Sequence, residues 1–144
     1  MSAQQIFSFK CHKITGGLGE GKALISKDKI CFSLTDPDTG VIIEKNHILE
    51  GQSVTDKIVI FPGGKGSSVV QGAGLYYLAR KGTGPKALII QNPDTVLVAS
   101  VVMLQIPLVD QVEEEFYKHV ENDCFVKVDA DKGVVTLIKN ILRK

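Results

Sequence analysis

Two glycine clusters and a few nucleophilic or ionisable side chains are the places where this chain could do chemistry. Gly16-Gly17-Leu18-Gly19-Glu20-Gly21-Lys22-Ala23 comes close to a phosphate-binding loop, with Gly16, Gly21 and Lys22 in place. Its last position is Ala23, where Ser or Thr would ligate magnesium, and the stretch that follows is strand-like, so no helix N-terminus faces the loop. It reads as a glycine turn. The second cluster, Pro62-Gly63-Gly64-Lys65-Gly66-Ser67-Ser68, has a better setting. It follows the apolar run Lys57-Ile58-Val59-Ile60-Phe61 and precedes a helical pattern, and ligands of open α/β sheets bind beyond the carboxyl ends of strands. Ser67 has two readings there. It can cap the helix by accepting a backbone N–H, which is worth about 1 kcal/mol. Its hydroxyl can also face a ligand, because three glycines let the backbone approach closely and the free N–H groups with Lys65 supply what an anion or oxyanion needs.

The other candidates carry less. His12, His47 and His119 sit in no recognisable motif and read as surface or structural residues, and Ser67 is not in a GxSxG elbow. Glu113-Glu114-Glu115 reads as a solvated face, and Asp36 and Asp38 as carboxylates that tie a turn. Cys11, Cys31 and Cys124 are odd in number and far apart, which fits reduced thiols, and no CxxC or CxH spacing offers a zinc or iron–sulfur site. The chain alone shows no complete catalytic set and no metal site.

The elements that must position these residues can be read from periodicity. Residues 6–13 suggest a strand, residues 16–21 a turn, and residues 23–26 and 30–32 short strands. Asp36-Pro37-Asp38-Thr39-Gly40 is a turn, followed by a strand at residues 41–43. The apolar run at residues 57–61 predicts a strand buried on both faces. Residues 69–80 have near-helical apolar spacing and stop at Gly82, and residues 86–90 form the next buried strand. Residues 57–90 thus form a strand–loop–helix–strand unit with a parallel strand pair. Residues 96–104 fit helix or strand equally. A short strand at 106–110, a charged helical turn or loop at 113–119 and a hairpin over 125–137 complete the order. The fold class is α/β with a small parallel core.

Composition closes off other functions. The chain has 144 residues, enough for one domain with a real core. A formal charge of +1 and the absence of Trp offer neither a field nor a stacking surface for nucleic acid. The N-terminus lacks a signal-peptide pattern, and the most apolar stretch, residues 95–109, is too short to span a bilayer. A soluble, cytoplasmic protein is expected.

Five motifs in order give the chain a family likeness. They are Lys10-Cys11-His12-Lys13-Ile14 with Gly19-Glu20-Gly21-Lys22-Ala23-Leu24; Asp36-Pro37-Asp38-Thr39-Gly40-Val41-Ile42; the segment from Val59 to Ser68; Ala87-Leu88-Ile89-Ile90; and Ile106-Pro107-Leu108-Val109-Asp110. Together, over roughly residues 7–138, they resemble the small subunit of aconitase X, the phosphomevalonate dehydratase small subunit family. The resemblance implies one domain over residues 1–144, a swivelling β/β/α domain of the aconitase C-terminal type. It implies a hydro-lyase whose serine base sits in a Gly-x-Gly-Ser-Ser loop. Carried onto this chain, Ser67 is the proton acceptor, and Gly64, Lys65, Gly66 and Ser68 bind substrate. It places an iron–sulfur cluster on a separate large subunit, with which this chain would form a heterodimer, and none on this chain. In typical aconitases an Arg follows the two serines and binds a substrate carboxylate; here that position is Val69, which disfavours citrate or isopropylmalate. The implied small carboxylate substrate is (R)-5-phosphomevalonate, dehydrated to trans-anhydromevalonate 5-phosphate, or else cis-3-hydroxy-L-proline. The alternative is a non-catalytic swivelling module that binds a partner or a phosphorylated ligand. A phosphohistidine carrier would need His after the loop serine, and none is there.

Overall fold

Two short strands divide the interior of the molecule in two. In the computed structural model, which describes residues 2–142 apart from the side chains of Ser2, Ser68, Ile141 and Leu142, β4 (Ile58–Phe61) and β5 (Ala87–Ile90) are buried at every position. Successive strand residues point to opposite faces. Ile58, Ile60, Ala87 and Ile89 therefore enter one core, and Val59, Phe61, Leu88 and Ile90 another. Each fully buried side chain of this size contributes roughly 1.5–3 kcal/mol, so neither face of these strands is dispensable.

Around this pair runs an eight-stranded sheet in the order β1-β8-β7-β3-β4-β5-β6-β2. Its strands are β1 (Ser2–Lys10), β2 (His12–Thr15), β3 (Leu18–Ile25), β4, β5, β6 (Leu108–Asp110), β7 (Phe125–Asp129) and β8 (Val134–Leu142). β3, β4, β5 and β6 are parallel neighbours, and the β7–β8 hairpin, β1 and β2 pair antiparallel. β3 joins the two halves: its first residues pair with β7 and its last three with β4. Only Cys11 separates β1 from β2, although they stand at opposite ends of the order. Two consecutive peptide units span at most about 7.6 Å, so the sheet must curl round until its ends meet. The second core, with Phe9, Phe116, Val126, Val128, Val135 and Leu137, fills the curl.

Two helices cover the other face of the parallel strands. α1 (Ser68–Lys81) runs from β4 to β5 and α2 (Thr95–Leu104) from β5 to β6, giving two successive strand–helix–strand units. Leu75 and Leu78 of α1 and Leu97 and Val101 of α2 reach into the first core. α1 ends as expected at Gly82, whose φ of +71° is the left-handed stop. The stretch that fitted helix or strand is α2, begun by the Asp94 side chain, which accepts the Leu97 N–H at 2.9 Å. A third, short helix, α3 (Glu114–His119), buries Phe116.

Three local expectations need correction. The strand expected at residues 6–13 is two strands, because the chain changes partner from β8 to β6 at Cys11. Residues 16–21 are not one turn: Gly19 and Gly21 lie inside β3. They are small because other chain segments cross them closely, and a Cβ would stand 2.5 Å from the Lys86 carbonyl oxygen and 2.4 Å from that of Asp56. Residues 30–32 and 41–43 form no strands. Ile30 makes one bridge to Gly64, Phe32–Leu34 is a 3-10 turn, and Val41 and Ile42 make isolated bridges. Ile30, Phe32 and Ile42 are apolar because they plug the first core from a long loop, not because they build a ladder.

Candidate active site

The loop 62–67 lies at the carboxyl end of β4 and is fastened on both sides. Toward β3, the Ile30 N–H donates to the Gly63 carbonyl at 3.0 Å and the Lys65 N–H to the Ile30 carbonyl at 3.3 Å. Toward β5, the Asn92 N–H donates to the Pro62 carbonyl at 2.8 Å. This lattice of backbone bonds explains how so glycine-rich a segment keeps one shape.

Of its glycines, Gly66 is required by backbone conformation and Gly64 is closely crowded by side chains. Gly66 has φ of +102°, which side chains rarely adopt, and its Cβ would press on the Cys31 sulfur at 3.2 Å. At Gly64 a Cβ would stand 2.5 Å from Gln71 Oε1 and 3.3 Å from Asp94 Oδ2. Gln71 is buried one turn into α1, and its Nε2 donates to the Gly66 carbonyl at 2.8 Å. That bond fixes the peptide that leads into Ser67. Gln71 Oε1 is buried with no protein partner and lies against Gly64.

Ser67 is the N-cap of α1, with extended backbone, and its carbonyl accepts the Gln71 N–H at 2.9 Å. Its Oγ accepts the Val70 N–H at 3.3 Å, long for such a bond, and the residue is exposed. Capping and an outward-facing hydroxyl coexist in one side chain. α1 carries no acidic residue in its first turn, so the positive end of the helix is not neutralised by its own side chains. The Ser68 side chain lies outside the described residues. Lys65 is not a free cation: its Nζ is 2.5 Å from Glu44 Oε2, and both are partly shielded.

The histidines are placed apart. His47 is buried in the neighbouring loop, where its Nε2–H donates to the Lys29 carbonyl at 2.9 Å and its Nδ1 accepts the Leu49 N–H at 3.0 Å, a structural role. His12 pairs through Nδ1 with the buried Asp110 at 2.7 Å, a cross-strand contact of β2 and β6. His119 stacks on Phe7. The three cysteines lie in separate connecting segments, and among the described residues no three His, Cys, Asp or Glu side chains converge to hold a metal ion. Their donor set therefore does not fit an iron–sulfur cluster. Sequence reasoning missed Glu44 and Gln71. Gln71 had a signal, since it stands four residues after Ser67 on the helix. Glu44, 21 residues from Lys65 in an irregular loop, had none.

A serine exposed at a helix N-terminus, on a glycine loop at the carboxyl edge of a parallel core, invites comparison with known proteins. The family described as the aconitase X swivel domain matches residues 8–137. The chain belongs to the aconitase X swivel-domain family. The chain called phosphomevalonate dehydratase small subunit in Archaeoglobus fulgidus is 40% identical over 132 residues, which is 91% of this chain and 98% of that one. Its namesake in Methanothrix thermoacetophila is 39% identical over 129 residues, 89% of this chain and 93% of that one. The crystal structure of Thermococcus kodakaraensis aconitase X in its holo-form superposes with a TM-score of 0.83 at 33% identity, covering 92% of this chain and 99% of that chain. The aconitase X swivel fold expected from the sequence is thus the fold observed. Among the described residues no helix is long and apolar enough to cross a membrane.

Proposed function

We propose that this chain is the small subunit of an aconitase X-type dehydratase, a heterodimer with a large subunit that carries the iron–sulfur cluster, and that its substrate is (R)-5-phosphomevalonate. The observation that carries the reading is the exposed Ser67 hydroxyl at the unneutralised N-terminus of α1, in a chain of this family. The relatives' names favour the phosphorylated substrate over cis-3-hydroxy-L-proline.

Ser67 acts as the base that takes a proton from the carbon beside the substrate carboxylate. A hydroxyl is a poor base unless its alkoxide is stabilised. The Val70 N–H already faces Oγ, and the helix terminus favours negative charge there. Lys65 adds positive charge that Glu44 tempers, so the loop holds its lysine in place without a large excess charge. Backbone N–H groups at Gly64 and Gly66 approach the substrate closely because no Cβ intervenes. Closure by the partner would exclude water and strengthen each of these interactions.

The test is reconstitution. This chain and the large subunit of the same organism, each purified anaerobically, are assayed for release of water from 5-phosphomevalonate. Neither alone should turn over, and the mixture should yield trans-anhydromevalonate 5-phosphate. A mixture that dehydrates cis-3-hydroxy-L-proline instead would overturn the substrate, and an inert complex with both would favour a non-catalytic module.

A further inference from the structure

α2 carries no charged residue at all: its sequence is Thr95-Val96-Leu97-Val98-Ala99-Ser100-Val101-Val102-Met103-Leu104. A helix apolar on every side is normally buried on every side. Here only Leu97 and Val101 are buried, while Val102 is 54% and Met103 83% exposed. α1 extends the same face with Val69, 78% exposed, and with Tyr76 and Tyr77, about half exposed. Between the helices lies an apolar groove, floored by Gly72, Ala73 and Ser100 and walled by the two tyrosines and Met103. Small residues make the floor, so the groove is deep enough to take a side chain.

We propose that this groove is the seat of the large subunit, which fills it with an apolar side chain and meets Arg80 with a carboxylate. The inference rests on the reading that such a subunit exists, and adds where it docks. Three features choose that occupant. The patch starts at Val69, two residues beyond Ser67, so a partner that closes over Ser67 meets its near edge. At its far end Arg80 stands over the Tyr76 ring at 5.9 Å and makes no ion pair among the described residues, leaving a cation for an acidic partner. A second copy of this chain fits poorly. Neither helix carries an acid, so a two-fold contact through this face offers Arg80 no carboxylate from either helix of the other copy.

The experiment measures the affinity of the full chain for the large subunit, anaerobically, with the unfolding midpoint of each variant as a fold control. Tyr77→Glu and Met103→Glu put charge into the groove and should each weaken binding about a hundredfold, with midpoints close to the wild type because both sites are exposed. Arg80→Ala removes only an exposed guanidinium and should cost about tenfold. Ile6→Glu, 65% exposed on β1, should leave affinity within about twofold. Wild-type affinity in both groove variants would overturn this docking site and leave the proposed function standing. The docking site is overturned equally if the wild type self-associates through this face and the monomeric variants still bind the large subunit. A wild-type chain that binds no large subunit would overturn both.

Discussion

Ser67 combines a structural role with an exposed hydroxyl. Its hydroxyl caps α1, but through a long bond to a single N–H, and the rest of the oxygen faces outward. The sequence left capping and ligand binding as rival readings, and the geometry makes them compatible. What spacing could not reveal was the support around it, because Glu44 and Cys31 reach the loop from segments far away in the chain. A second residue carries a pH dependence. Burial, and then the carboxylates of Asp110 and Asp129, push the Cys11 thiol above its ordinary value of 9.0. Above that value the unfolded chain loses its thiol proton while the folded chain keeps it. The unfolded state then binds fewer protons, so stability falls as pH rises from about 9 toward the folded value. Burial pushes Tyr117 in the same direction. The unfolding midpoint should drop with pH in that alkaline window, and less steeply in Cys11→Ala. Equal slopes would show that Cys11 does not contribute.

At the scale of elements, strands buried on both faces and helices with glycine stops were readable, because apolar runs and Gly82 act locally. Segments whose residues are apolar for tertiary reasons misled. Ile30, Phe32 and Ile42 look like strand residues but are plugs, and Gly19 and Gly21 look like turn residues but are strand positions under crossing backbone. α2 was ambiguous because its apolar residues surround the helix and leave no period to detect. Its outer face is the proposed seat of the large subunit. The stop of α1 can be isolated cleanly. Nothing lies within 4 Å of a Cβ on Gly82, so Gly82→Ala should act only through its φ of +71°. A loss of about 1 kcal/mol is expected, read as a midpoint a few degrees lower. An unchanged midpoint would mean that the end of α1 relaxes without cost.

At the scale of the molecule, the curled sheet, whose ends are joined through Cys11, presents one edge where the loops after β3, β4 and β5 meet. Linear sequence could not show the curl, since β1 and β2 look like one strand until their partners are known. The proposed function needs that edge to meet a second chain, because in that reading this chain supplies the base, while no metal ligands converge among its described residues. The central claim is that Ser67 removes the substrate proton. It is tested most directly by Ser67→Ala in the assembled two-subunit complex, with 5-phosphomevalonate deuterated at the carbon beside the carboxylate. The complex should form with unchanged affinity, while both deuterium loss and dehydration fall by at least about a thousandfold. Deuterium loss and turnover at the wild-type rate in a verified Ser67→Ala complex would contradict it.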